Sequence, residues 1–486
     1  MIIRHEVGVP GLRKALFFVF FLLPASLVLL SCGGSSAPPS TRTSGIPYRA
    51  FITNNVSAGT ASAGIFIVNA QTDVRVFTAP ISAGQNPGMM VLTPNHSQTL
   101  VFSGNGLLGS DNQFSIINNA GESNAFQIPL GGMTESFLAS PDSSTAYVAV
   151  PTGSVVNGPQ GVVDAIAIGN GSVIGQVAVP SAHYLALDNS GNRLLAFSDN
   201  SDSIAVITPS NIGIIGAPVV TYVGGPGIFD RPVQAFFTSD DSTAYIVSCG
   251  AECGGTQASV QEFNFITNTL IASIPSCVPV PNTNPVQCSG PAAGSFALVS
   301  GSTMYLAGTP PYVGGVPQQA CTGQKTAATS CGLLNIINLS TPMSVTNTAP
   351  IVITDGYHNR MAIGPNGQLF IGARTCTEIT EPVPTPPGAE VRGCLSIYNL
   401  LMTAVGSAPP GGVLIPPANG DVTGLQPIGR RGSGMAQQVI YVVQGGSVNI
   451  YDTTIDALEY NPNDDKNPGQ ISNFVGQFYD VKTVDF

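Results

Sequence analysis

Ser140-Pro141-Asp142-Ser143-Ser144-Thr145-Ala146-Tyr147-Val148-Ala149 follows one apolar run and opens another, and Thr238-Ser239-Asp240-Asp241-Ser242-Thr243-Ala244-Tyr245-Ile246-Val247 repeats it almost letter for letter. Each copy reads as a strand end, a tight turn and a second strand. Pro, Asp and Ser supply the backbone angles of the reversal, and the alternating apolar residues beside them mark strands. Looser copies lie at 93–102, 188–197 and 364–371, with a shortened one at 302–306. A third strand follows in most units, ending x-Ile-[Val/Ile/Tyr]-[Asn/Asp], as at 66–69, 115–118, 335–338, 396–399 and 449–452. A fourth comes next, as at 73–78, 269–274 and 348–353. Four antiparallel strands recurring about every 40–50 residues make a β-propeller blade, so the fold class is all-β.

The second strand occurs in eight copies, centred on Phe51, Val101, Tyr147, Leu195, Tyr245, Tyr305, Phe370 and Tyr441. Eight blades are therefore expected, or seven if one weak unit is miscounted. The first copy lacks a strand before 48–53, and the strand-like segment 477–486 has nothing after it. Both gaps vanish if the C-terminal strand is the innermost strand of the N-terminal blade, which also removes the open edges. At this point the chain resembles the YVTN-type repeats of bacterial surface propellers, which share the Ser-Pro-Asp turn and the strand ending Ile-Asp. That resemblance spans roughly residues 47–486 and implies an architecture rather than an activity.

The N-terminus carries a basic start with Arg4, Arg13 and Lys14, an apolar run over 15–30, and then Leu29-Leu30-Ser31-Cys32. This is the layout of a secretory signal. A span of sixteen residues interrupted by Pro24 is short for a transmembrane helix, which needs about 20. The last four residues resemble the lipobox of bacterial lipoproteins, which implies cleavage before Cys32 and acylation, palmitate included, of its thiol. The expected organisation is a signal peptide over 1–31, a lipid-bearing Cys32 with a tether over 32–46, and a propeller domain over 47–486. The same resemblance, with Gly33 rather than Asp after the cysteine, implies delivery to the outer membrane in a two-membrane envelope. The tether, rich in Gly, Ser, Pro and Thr, spans about 20 Å on average.

The 31 signal residues hold three of the 16 basic and one of the 27 acidic groups, leaving a mature charge of −13. With four lysines in all, the chain has no electrostatic footprint for nucleic acid, and no such partner is expected. Eight cysteines remain beside Cys32, an even set that in an exported chain points to disulfides. They fall into near neighbours, predicting Cys249–Cys253, Cys277–Cys288, Cys321–Cys331 and Cys376–Cys394. No Cys-x-x-Cys pair and no nearby histidine supports zinc.

With strands labelled A to D from the channel outward, A–B and C–D connections share one face and are expected to be short, and B–C and D–A connections share the other. The long segments 309–331 and 375–394 are B–C connections, and 276–294 and 407–421 are D–A connections. The disulfide candidates sit in this same class of loop. Cross-linked loops are pre-ordered, so a partner meeting them loses less entropy. A plainer reading is that Pro-rich loops need staples to survive export. On the opposite face, 426–437 carries Arg430-Arg431, read as a solvated turn, with contact to anionic lipid or glycan as the alternative.

Strand A starts on the long-loop face, so its first residues ring the channel mouth. Aligning the repeats puts Glu135 and His183 at equivalent positions, with Arg231 and His358 near the same level. A carboxylate and an imidazole on one funnel suit acid–base work or metal binding, and propeller lactonases use polar groups in a comparable place. A wet channel lined by structural polar groups is the plainer account. No Cys-x-x-Cys-His haem site, no tryptophan-docked blade (Trp is absent), and no Gly-x-Ser-x-Gly, Walker or Rossmann pattern occurs. The oxygen-rich 461–465 lacks the glycine and glutamate of an EF-hand. No cofactor or metal is expected. The expectation is a lipid-anchored, monomeric extracytoplasmic propeller that binds a protein or glycan through its B–C/D–A face. A lactonase-like hydrolase is the first alternative, and a purely structural envelope component the second.

Overall fold

Every second strand named from the sequence is the second strand of a blade in the computed structural model. The structure describes residues 42–485 apart from 56–62, 105–110, 156–157, 277–292, 311, 314–315, 318–331, 347–350, 377–378, 383–388, 393, 401–412, 415–419, 429–437, 454–456 and 459–475. Eight four-stranded antiparallel sheets form the ring, which lies within the compact unit Pro38–Phe486.

From the inner strand A outward, blade 1 holds Phe478–Thr483, Arg49–Asn54, Gly64–Asn69 and Val74–Arg75. Blade 2 holds Pro87–Leu92, Gln98–Ser103, Gln113–Asn118 and Ser123–Pro129; blade 3 holds Ser136–Ala139, Thr145–Ser154, Gln160–Ala167 and Val173–Ala178. Blade 4 holds Ala182–Leu187, Leu194–Ser198, Ser203–Ile207 and Val220–Gly224; blade 5 holds Pro232–Phe237, Thr243–Ser248, Ser259–Asn264 and Thr269–Pro275. Blade 6 holds Phe296–Ser300, Thr303–Gly308 and Gly332–Asn338, its outer strand split into Ser344–Val345 and Ile351–Ile353. Blade 7 holds Tyr357–Ile363, Gln368–Arg374, Leu395–Asn399 and Val413–Leu414; blade 8 holds Val422–Ile428, Val439–Gln444, Ser447–Asp452 and Ala457–Leu458.

The middle strands are apolar on both faces because each blade packs against two neighbours. In strand B of blade 1, Ala50 and Ile52 join a cluster with Tyr441 and Val443 of blade 8, while Phe51 joins Met90 and Val101 of blade 2. Eight such clusters each join one consecutive pair of blades and together close the circle.

The repeated turn is built as its residues dictate. Ser140 Oγ donates to Asp142 Oδ1 at 2.5 Å, the Ser144 amide donates to the same oxygen at 3.1 Å, and the Thr145 amide donates back to Ser140 Oγ at 3.0 Å. Thr238, Asp240, Ser242 and Thr243 repeat these bonds in blade 5. The fourth turn position takes a positive φ, left-handed, in Ser143 and Asp241, and blade 4 places Gly191 there. Glycine has no Cβ to be strained by that conformation.

The termini clasp as expected: Ala50, Phe51 and Ile52 pair antiparallel with Thr483, Lys482 and Val481. Beside them, buried Arg49 donates through Nε to Asp485 Oδ2 at 2.8 Å and through Nη1 to Glu122 Oε1 at 2.8 Å. Arg42 donates to the same Asp485, and the Ser44 amide donates to Glu122 Oε2 at 2.7 Å. Arg42 and Ser44 are therefore held against the ring.

The connections 309–331, 375–394 and 276–294 join strands as expected, but 407–421 does not: strand Val413–Leu414 lies within it, so only 415–421 is a D–A connection. The C–D connections 208–219 of blade 4 and 400–412 of blade 7 depart from the expected brevity. Strand A of blade 8 runs through Ile428, so its A–B connection starts at 429; Arg430-Arg431 lies outside the described residues, as do Cys32, Cys277, Cys288, Cys321, Cys331 and 461–465. Cys249–Cys253 and Cys376–Cys394 are disulfide-bonded.

Candidate binding site at the channel mouth

Because strand A begins on the B–C/D–A face, side chains at its start and at the end of strand B turn toward one opening. Here the structure brings Glu135 and His183 together. His183 Nε2 lies 3.4 Å from Glu135 Oε2, and His183 Nδ1 lies 2.7 Å from Asp199 Oδ1. The imidazole stacks on the Tyr184 ring, centroids 4.1 Å apart. Burial disfavours the His183 cation, but the hydrogen bonds to Glu135 and Asp199 and their charges outweigh it, and its pKa is raised. The hydrogen bond from His183 in turn lowers that of Glu135 against the opposing effect of burial.

The same groups are met from across the ring. Arg374, at the end of strand B in blade 7, sets Nη1 3.9 Å from Glu135 Oε1 of blade 3. The hydroxyls of Tyr184 in blade 4 and Tyr357 in blade 7 are hydrogen-bonded to each other. Burial raises the pKa of both phenols, that of Tyr357 to about 12. Blades 3 and 4 are thus bridged to blade 7 across the axis.

Around this bridge is a cavity of about 540 Å³, within the usual range of small-molecule sites. Its wall combines Met89, Met133 and Phe137 with Arg360, Gln234 and Tyr479. Asp480, buried at the foot of the wall, accepts from the amides of Met90 and Val481 and lies 3.4 Å from Lys482 Nζ. With both nitrogens of His183 engaged by carboxylates, the cluster is arranged to hold charge in place and to offer carboxylate, guanidinium and phenol groups to a polar ligand.

Two of the four residues singled out from the sequence lie elsewhere. His358 is buried, its Nε2–H donates to the Thr354 carbonyl at 3.0 Å, and burial pushes its pKa down to about 4. It is a neutral packing residue: it pairs with Ala373 one position before the strand A bulge, the place that Ala182 holds in blade 4, so Asn359 rather than His358 is the counterpart of His183. Arg231 pairs with Asp202 at 3.1 Å in a separate ion pair. Conversely, the sequence reading passed over Asp199, Arg360 and Arg374. Asp199 and Arg374 sit at strand B ends, which also face the mouth, so the same alignment extended to strand B would have found them.

Next to blade 6 lies a second acid. Cys249–Cys253 staples a 3-10 turn, Gly250–Cys253, that carries Glu252. Its carboxylate accepts from Ser295 Oγ at 2.9 Å and the Thr309 amide at 3.0 Å, and burial pushes its pKa up to about 7. Glu252 thereby ties down the roots of both long connections of blade 6, 276–295 and 309–331.

No family model matches this chain, and no curated protein does. Among solved structures it is similar to the dihydro-heme d1 dehydrogenase NirN in complex with DHE, at 10% identity and a TM-score of 0.50 over 90% of this chain and 75% of that one. A hydrazine synthase from Kuenenia stuttgartiensis matches at 12% identity and a TM-score of 0.49, over 78% of this chain and 99% of that one. The propeller domain of Cps50 (Swd1) from Myceliophteria thermophila matches at 9% identity and a TM-score of 0.44, over 78% of this chain and 100% of that one. At such identities the likeness is one of fold: the chain is an eight-bladed β-propeller closed by its own two ends.

Proposed function

We propose that the chain is a lipid-anchored, extracytoplasmic binding module of the bacterial cell envelope, a lipoprotein carrying a YVTN-type propeller. Its partner is a protein or glycan taken up by the B–C/D–A face. The observation that carries this reading is the mouth cavity, whose charged bridge of Glu135, His183 and Arg374 opens on the face of the B–C connections, which hold both described disulfides. A pre-ordered polar funnel rimmed by stapled loops suits capture more than turnover. The lipobox-like Leu29-Leu30-Ser31-Cys32 supports the anchor, and Gly33 supports the outer membrane.

The test is affinity capture from solubilised envelopes, read by mass spectrometry. Replacing 310–331 by a short Gly-Ser link, and separately Glu135→Ala with Arg374→Ala, is expected to abolish capture while the melting temperature changes little. Capture that survives both changes removes the binding face. A second reading, hydrolysis at the mouth, draws on the Glu135–His183–Asp199 geometry; it fails if Glu135→Gln and His183→Ala together leave any measured hydrolase activity intact.

A further inference from the structure

Nine of the eleven exposed large apolar side chains among the described residues sit on a C–D connection or within three residues after one. They concentrate at the outer edge of three consecutive blades: Val173 and Ile174 in blade 3, Ile214 and Ile215 in blade 4, Ile266 and Ile271 in blade 5. Scattered apolar residues on a surface need no explanation, but a clustered set rimmed by polar groups marks a contact surface. All of these lie toward the A–B/C–D face, opposite the cavity.

The most prominent member stands at a built tip. Ile215 is wholly exposed and Ile214 more than half so, at the end of the 208–219 connection. Gly213 and Gly216 flank them, both with positive φ, a conformation that only glycine takes without strain. The tip is held by bonds from the Ile214 amide to the Asn211 carbonyl at 3.1 Å and from Asn211 Nδ2 to the Pro218 carbonyl at 2.8 Å. A polar tip would satisfy the same turns, so the two isoleucines are not required by the loop's own structure.

Topology supplies the occupant. Strand B of blade 1 starts on this same face, and the chain reaches it through Arg42 and Ser44, pinned to Asp485 and Glu122. Nine residues, 33–41, separate this docking point from Cys32. We propose that the A–B/C–D face lies against a lipid bilayer, with the apolar edges of blades 3–5 immersed in its interfacial layer and the cavity turned away from it. This rests on the lipid-anchor reading for its strength, though the apolar edge is a separate observation. The exposed carboxylates of Asp142 and Asp240 on the A–B turns make a zwitterionic surface the better partner than an anionic one.

The chain has no tryptophan, so a single introduced indole is a clean reporter. Full-length protein is reconstituted into phosphatidylcholine vesicles containing brominated lipid, as Ile215→Trp, Ile266→Trp or, beside the cavity, Met133→Trp. Co-flotation with vesicles reads the anchor, and quenching reads the face. The two rim indoles are expected to be quenched at least about threefold more than the mouth indole and to emit further to the blue. Flotation with unquenched rim indoles, or with equal quenching at all three sites, overturns the orientation while leaving the anchor standing. Protein that does not float removes the anchor reading instead. The rim is then read from the same variants mixed with excess vesicles, where quenching at Ile215→Trp sustains the contact and its absence ends it.

Discussion

His183 lies between two carboxylates that the chain brings from different strands, and its titration follows from that placement. Its raised pKa means that its stabilising contribution is full below the unfolded value of 6.5 and is lost as pH rises through the folded value. Glu135, with its pKa lowered, contributes above its ordinary 4.5 and loses that contribution as pH falls through the folded value. Both partners are part-exposed, so His183→Ala should cost no more than about 1 kcal/mol near pH 6, measured by thermal melts across pH. Glu252 behaves in the opposite sense. Its carboxyl is raised from 4.5 to about 7, so folding favours the protonated form and stability falls as pH climbs between those values. The fall should reach at most about 3 kcal/mol, and Glu252→Gln should abolish that slope whatever it does to the absolute melting temperature. At this scale the sequence was legible in part. Glu135 and His183 were found because turns align blades, and strand A starts then fall at one level. His358 was misplaced by one residue: strand A carries the same bulge in both blades, at His183 in blade 4 and at Asn359 in blade 7. Arg374 was missed because only strand A starts were aligned, although strand B ends face the same mouth.

Among the elements, the clasp of blade 1 depends on charges as well as strands. Asp485 takes hydrogen bonds from both Arg42 and Arg49, and its removal leaves two nearly buried guanidinium groups short of a partner. Breaking a buried pair in this way costs about 3–5 kcal/mol, so Asp485→Ala should lower the denaturation midpoint sharply. The clasp bonds of Arg42 were not legible in the sequence, because the residues that accept from it are brought to it only by ring closure. In blade 7, Cys376–Cys394 closes a separation of 18 residues between strands B and C. Replacing both by serine should cost about 3 kcal/mol on the loop-entropy account, measured by urea unfolding. Strand B and C positions were easy to read because burial on both faces makes them continuously apolar, whereas outer strands such as Val74–Arg75 are short and half-wet.

For the whole ring, eight apolar seams share the stabilisation, and two of them, between blades 8 and 1 and between blades 1 and 2, include residues from the C-terminal segment. Ending the chain after residue 476 removes Phe478, Val481 and Val484 from those seams, and limited proteolysis should then cut within the first blade while intact protein resists. The architecture was legible because one turn, Ser-Pro-Asp and its variants, recurs often enough to count; the enlarged C–D links escaped because a loop's length follows no repeat. The clasp has a further meaning for how such a chain is made. Synthesis delivers residue 49 long before residue 483, so the ring stays open until the segment 478–483 has emerged. A molecule interrupted before that segment leaves its first sheet one strand short, with the unpaired edge of Arg49–Asn54 exposed.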